Sequence, residues 1–221
     1  MRPNDIRLYK NGLRAAIKAE RKAMSPDEKS ALDRKIAKNV QRLYQYRSAT
    51  TLLIYVSTPI EVDTFEIMAN AWHDGKKIAV PRCIPGTRSM EFHYISSVND
   101  LSPGSFGVLE PDESRQVVTD FTGCLMLLPA LSLDYLGYRL GYGKGYYDRY
   151  LAKFTGSLVG ICYSADIRRH MYHGRFDRPV DVILTENWIK DVGSRRRDEQ
   201  KKIPRQNSCR RSGFGRNERF G

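Results

Sequence analysis

Ten consecutive residues, Arg139-Leu140-Gly141-Tyr142-Gly143-Lys144-Gly145-Tyr146-Tyr147-Asp148, combine the side chains and the backbone freedom that polyphosphate binding needs. Glycine at every second position lets a backbone approach a ligand closely and adopt positive φ. The spacing that follows, Tyr146 to Phe154, predicts a helix whose first N–H groups and positive dipole end face the same spot. Arg139 and Lys144 add positive charge, and Asp148 offers oxygen of the kind magnesium takes. The string is not Walker A, because no Ser or Thr follows Lys144, nor is it G-x-G-x-x-G. Alone it names a ligand class, nucleotide phosphate, and leaves open a glycine turn that touches no ligand.

Other candidates are weaker one by one. Lys10 and Arg14 share a helix face, and a solvated basic stripe is the plainer reading. Glu61 follows a strand end and Pro59, where ligand-contacting groups sit in α/β sheets, yet a lone carboxylate there also suits solvent. Asp177 and Asp181 flank Arg178-Pro179-Val180 and read as caps or turn formers. His73, His93, His170 and His173 show no metal spacing, and no Ser-His-Asp or Cys-His arrangement stands out.

The elements that must position these residues alternate. Ile6, Leu13 and Ile17 mark a first helix. Ser25-Pro26-Asp27-Glu28 starts a second, with Leu32, Ile36, Val40 and Leu43 carrying it to about Tyr46. A buried strand at Leu52–Ser57 precedes a helix at about Thr64–His73 and a strand at Lys77–Val80 stopped by Pro81. Met90–Ile95, Leu125–Leu128, Leu158–Tyr163 and Val182–Leu184 read as further strands, with a looser middle where Pro103-Gly104 and Gly107 mark turns. This pattern predicts a single three-layer α/β/α domain over residues 1–191 with a mostly parallel sheet.

The formal charge of +12 over 221 residues divides into +7 on residues 192–221 and +5 on the body. The expectation is a mildly basic enzyme body and a disordered basic tail, either solvated or touching RNA. The N-terminus lacks the apolar core of a signal peptide, and Cys124–Leu133 is about half the roughly 20 residues a membrane helix needs. Cys83, Cys124, Cys162 and Cys209 form no C-x-x-C pair and read as reduced thiols. A cytoplasmic monomer without membrane contact is expected.

Taken in order, the pieces resemble the 5-formyltetrahydrofolate cyclo-ligase (methenyltetrahydrofolate synthetase) family. They are Lys10-x-x-x-Arg14, Glu61-Val62-Asp63-Thr64, Gly75-Lys76 ahead of Pro81, Met90-Glu91-Phe92 and Phe106-Gly107-Val108-x-Glu110-Pro111. Leu128-Pro129, Asp134, the glycine string through Arg149, and Asp177 with Asp181 near Thr185-Glu186 follow. The resemblance spans about Lys10 to Glu186. It implies ATP- and magnesium-dependent conversion of 5-formyltetrahydrofolate to 5,10-methenyltetrahydrofolate, with ADP and phosphate released.

By resemblance, Lys10, Arg14 and the run Arg139, Leu140, Gly141, Tyr142, Gly143, Lys144, Gly145, Tyr146 and Tyr147 bind ATP, with Arg139 and Lys144 catalytic. Val56, Glu61 and Tyr142 to Tyr146 (with Gly143, Lys144 and Gly145) contact the folate, and Asp148 and Asp177 hold magnesium. Ala130, Leu133 and Phe176 depart from the family's usual Gly, Phe and His, which bears on substrate preference. The alternative is a non-catalytic nucleotide- or folate-binding module whose basic tail contacts RNA.

Overall fold

The computed structural model describes residues 5–174 and 177–193. Helices α1 (Ile6–Ala23), α2 (Pro26–Arg42) and α3 (Tyr44–Ser48) precede strand β1 (Thr51–Ile54). Helix α4 (Phe65–His73) leads to β2 (Lys77–Cys83), which turns back into β3 (Met90–Ile95). A hairpin of β4 (Leu101–Pro103) and β5 (Leu109–Pro111) comes next. Strands β6 (Cys124–Pro129), β7 (Ser132–Asp134) and β8 (Arg139–Leu140) then reach helix α5 (Tyr146–Leu151). The order closes with β9 (Ser157–Ile161), β10 (Ile167–Arg168), β11 (Val182–Leu184) and β12 (Ile189–Asp191).

The main sheet has seven strands in the order β12-β11-β9-β6-β1-β2-β3. Its five central strands pair in parallel, and β12 and β3 close the edges antiparallel. Strands β1 and β6 are buried at every position, as expected when both faces are covered. Alternation sorts the core accordingly. Leu52, Ile54, Leu125 and Leu127 join a cluster with Ile36, Val40, Ile67 and Met68 from α2 and α4. Leu53, Met126 and Leu128 face the other way, against Tyr150, Leu151 and Phe154. That second face is covered by the short α5 and by Leu133 and Ile167 of the small β10-β7-β8 sheet. The fold is thus α/β, with a large, mostly parallel sheet flanked by helices.

Caps set the helix starts. The Asp5 carboxylate accepts from the backbone N–H of Arg7 at 2.7 Å and of Leu8 at 3.1 Å. Ser25 Oγ accepts from Glu28 N at 3.2 Å with Pro26 in the first turn. Each such cap is worth about 1 kcal/mol.

Four readings of the sequence are corrected, the first being the helix expected over Tyr146 to Phe154, which ends at Leu151. The second helix does not run to Tyr46: Leu43 takes extended angles (φ −65°, ψ 134°) and the chain restarts as α3, so that Leu43 and Tyr46 both enter the core. Pro81 does not stop β2. Pairing with β1 ends at Ala79 while pairing with β3 runs on to Cys83, so Pro81 lies where one neighbour is already gone and a missing N–H costs little. The folded body passes residue 191: Val192 is buried, and Val192 N and Gly193 N donate to Asp181 O at 2.8 and 2.9 Å. The expected disordered tail otherwise lies outside the described residues, as do Phe176 and Cys209.

Candidate active site

A cavity of about 350 Å³ lies beyond the carboxyl ends of β1, β6 and β2. Val56 follows β1, Pro129 ends β6 and Cys83 ends β2, and all three line it. The chain leaves β1 toward β2 on one side, and β6, β9 and β11 lie on the other. That reversal of strand order is where α/β sheets open a ligand crevice. Every site residue expected from the sequence lines this one cavity: Lys10, Arg14, Val56, Glu61, the run Arg139–Asp148 and Asp177.

One end is cationic. Lys10 Nζ sits 2.7 Å from Asp177 Oδ2, and Arg14 Nε donates to Gly141 O at 2.8 Å, tying α1 to the glycine string. The basic stripe of α1 therefore faces the cavity instead of bulk solvent. Gly143 (φ 85°) and Gly145 (φ 78°) hold left-handed angles, and a Cβ on Gly143 would come 3.1 Å from the Arg14 guanidinium carbon. Burial lowers the Arg14 guanidinium pKa, and nearby Asp177 and Asp148 partly offset this. Arg139 is nearly buried, pairs with Asp148 Oδ1 at 2.5 Å and leaves its Nε–H buried with no partner. An orphan buried donor in a cavity wall is a place for an anionic acceptor. Helix α5 has only six residues, so the anion-binding potential comes from these cations and the glycine backbone more than from a long helix dipole.

Another part of the wall carries a buried carboxylate. Glu61 is buried, and its Oε2 accepts from Thr58 N at 2.8 Å and Thr58 Oγ1 at 2.9 Å. Burial, and next the Glu61 carboxylate, push the Tyr142 and Tyr147 phenols well up. Tyr142 thus belongs to the Glu61 end, with Lys18 Nζ 4.7 Å from its ring centre. Beneath this end, buried Arg21 donates to Asp166 Oδ2 (2.9 Å), Ile60 O (3.2 Å), Ala130 O (3.0 Å) and Leu131 O (2.9 Å). It joins the loops after β1, β6 and β9 and so fixes the turn that carries Glu61.

The third wall is the β4–β5 hairpin. Phe106, the one non-glycine described residue with positive φ (60°), stacks edge-on against Tyr146 at 5.9 Å. Lys144 Nζ lies 5.5 Å from its ring centre, and Tyr146 OH donates to Thr87 O at 3.2 Å. Cys83 also lines this wall. Burial, aided by Glu110, pushes its thiol up to about 11. Composition and spacing gave no role to Thr58, Cys83, Phe106 or Glu110. Phe106 and Glu110 lie in a quoted family motif, and that was the one signal available for them. Asp177 keeps a turn role, accepting from Gly174 N at 2.9 Å, whereas Asp181 does not cap or turn locally: its Oδ2 accepts from Leu158 N of β9 at 2.9 Å. Exposed His173 stacks on Tyr138 at 3.6 Å.

Among the described residues no group of three or more His, Cys, Asp or Glu side chains is placed to cage a metal. Asp148 and Asp177 do fit a different arrangement. Magnesium commonly takes one or two carboxylates and completes its octahedron with phosphate and water, and both carboxylates line the cationic part of the cavity beside Arg14. Lys10 opposes the effect of burial on Asp177 and holds its carboxyl below the usual range, keeping it ionised as a metal ligand must be.

Residues 7–186 match the model of the 5-formyltetrahydrofolate cyclo-ligase family. A probable 5-formyltetrahydrofolate cyclo-ligase of Schizosaccharomyces pombe is 29% identical over 203 residues, covering 84% of this chain and 99% of that protein. The mouse 5-formyltetrahydrofolate cyclo-ligase is 31% identical over 196 residues, 80% of this chain and 94% of the mouse protein. The solved 5,10-methenyltetrahydrofolate synthetase of Aquifex aeolicus superposes with a TM-score of 0.74 at 28% identity, covering 83% of this chain and 92% of that one. With the strand-end cavity, its cations and buried carboxylate, and a match across most of its length, this chain belongs to the 5-formyltetrahydrofolate cyclo-ligase family.

Proposed function

We propose that the chain catalyses the ATP- and magnesium-dependent closure of 5-formyltetrahydrofolate to 5,10-methenyltetrahydrofolate, releasing ADP and phosphate. The observation that carries this reading is one cavity lined by four cations, Lys10, Arg14, Arg139 and Lys144, together with the buried Glu61 carboxylate. A formamide oxygen is a poor leaving group, so the ring does not close by simple loss of water near neutral pH. The formyl oxygen attacks the γ-phosphorus and ADP departs. N10 then attacks the formyl carbon and loses its proton, and the C–O bond breaks as phosphate leaves. Phosphoryl transfer of this kind depends on positioning and charge neutralisation, with no protein nucleophile.

Lys10, Arg14 and the backbone from Arg139 to Tyr147 hold the triphosphate. Arg139, through its unpartnered Nε–H, and Lys144 neutralise the transferring group. Asp148 and Asp177 would hold magnesium, which supplies further positive charge to that group. Glu61 accepts pterin N–H groups, Val56 lines the ring pocket, and the Tyr142 and Tyr146 rings flank it. Among the described residues no helix is long and apolar enough to cross a membrane. With free thiols at Cys83, Cys124 and Cys162, we place the protein in the cytoplasm, as a monomer.

Substrate labelled with ¹⁸O in the formyl group tests the route. The label should appear in inorganic phosphate. Label released to water instead would show that the oxygen is never phosphorylated.

A further inference from the structure

The hairpin wall contains a buried carboxylate to which the reaction above gives no task. Glu110 is 6% exposed and lines the cavity. Its Oε1 accepts the Cys83 N–H at 3.3 Å. The hairpin closes on the side chain so tightly that a Cβ on Gly104 would lie 2.6 Å from Glu110 Cγ. No Lys, Arg or His among the described residues pairs with it, and the cavity lining includes apolar Pro81, Met90 and Val108. An ionised carboxylate only accepts hydrogen bonds and offers about four sites for them. The Cys83 N–H and the Cys83 thiol fill two of those sites, so a bound molecule is the fitting source of a further donor.

We propose that Glu110 is a second substrate-binding carboxylate, accepting the N8–H of the reduced pteridine ring and so recognising the ring's reduction state. This rests on the reaction proposed above. The triphosphate has no N–H to give and repels a carboxylate, so the donor belongs to the folate. With Glu61 taking the N–H edge of the pterin, N8–H and N10–H remain. A carboxylate at N10 would stand beside the transferring phosphoryl group and oppose its charge. The cations of the phosphate site pair with Asp177 and Asp148 and not with Glu110, in keeping with a place by the ring. N8 carries hydrogen only in the reduced ring. In oxidised folate N8 is a bare acceptor facing a carboxylate, and a polar group left unpaired in a binding site is a strong ground for rejection.

Calorimetry without ATP tests this on the full chain and on Glu110→Gln and Glu110→Leu. The ligands are 5-formyltetrahydrofolate, 10-formyltetrahydrofolate (which keeps N8–H and lacks N10–H) and folic acid. Glu110→Leu should weaken both reduced folates at least tenfold, leave folic acid unchanged or tighter, and keep the KM for ATP within twofold. Glu110→Gln retains an acceptor for Cys83 N–H and should lose about threefold, narrowing the preference for reduced over oxidised folate. That arm carries the test if the leucine variant fails to fold. Reduced-folate affinity and preference unchanged in the variants would overturn the assignment. So would a loss confined to the 5-formyl compound, which would make N10–H the partner. Wild-type protein that binds no reduced folate would instead overturn the proposed reaction, and this inference with it.

Discussion

Gly143→Ala separates backbone strain from damage to the phosphate site. Gly143 and Gly145 have nearly the same left-handed angles, φ 85° and 78°, so alanine at either costs about 1–2 kcal/mol. For a chain of this size that lowers Tm by roughly 2–8 °C. The second effect differs. A Cβ on Gly143 meets the Arg14 guanidinium at 3.1–3.4 Å, and that guanidinium is anchored to Gly141 O. A Cβ on Gly145 meets only the Arg149 guanidinium, Nη1 at 2.7 Å and Cζ at 3.7 Å, the far end of an exposed side chain that can swing away. Displacing Arg14 from a phosphate contact should cost about another 1.4 kcal/mol, a tenfold change. The two variants should therefore melt alike while Gly143→Ala raises the KM for ATP about tenfold more than Gly145→Ala. Steady-state kinetics with melting curves on both variants checks this. Equal KM values, or the larger rise in Gly145→Ala, would refute the assignment of Arg14 to the triphosphate.

Lys144 is exposed and forms none of the ion pairs seen among the described residues, so Lys144→Ala should reduce kcat about 10²-fold with Tm unchanged. Asp148→Ala should lose turnover and also stability, because it leaves the Arg139 charge nearly buried. Since the Asp148 side chain is 37% exposed, solvent screening limits this to about 1 kcal/mol, read as a Tm lower by a few degrees. Arg21→Met leaves Asp166 unpaired in the interior and frees three carbonyls. A denaturant titration should show a loss of about 3–5 kcal/mol. The Cys83 thiol, at about 11 instead of 9.0, should alkylate about a hundredfold more slowly at pH 8 than an ordinary thiol. Because its folded pKa is raised, the stability it contributes is present below about pH 9 and fades as pH rises through about 11.

The sequence made the strands and the charged residues legible, and left the contacts between them hidden. Strand β6 reads directly because Cys124–Pro129 is buried on both faces and its apolar run has no competing helical period. The break at Leu43 does not read, since Leu43 continues the helical spacing and only the sheet beneath it favours the turn. The edge strand β12 escaped because Ile189–Asp191 is short and mostly exposed. Among site residues, the glycine string carries its own signal. Lys10 and Arg14 carry none alone, because a basic stripe looks the same whether water or a cavity lies beside it. Arg21 was illegible for a related reason: its partners Ile60, Ala130, Leu131 and Asp166 use backbone carbonyls and one acid far away in sequence. Helix α5 reads as longer than it is because Phe154 keeps the apolar spacing after the helix has ended at Leu151.

The central claim is that one cavity brings a formyl-folate and ATP together for ring closure. Purified protein should convert 5-formyltetrahydrofolate into the methenyl product, followed by its near-ultraviolet absorbance, when ATP and magnesium are both supplied. Omitting either, or chelating the metal with EDTA, should abolish the rise. No product with all three present, or product forming equally fast without ATP, would contradict the account.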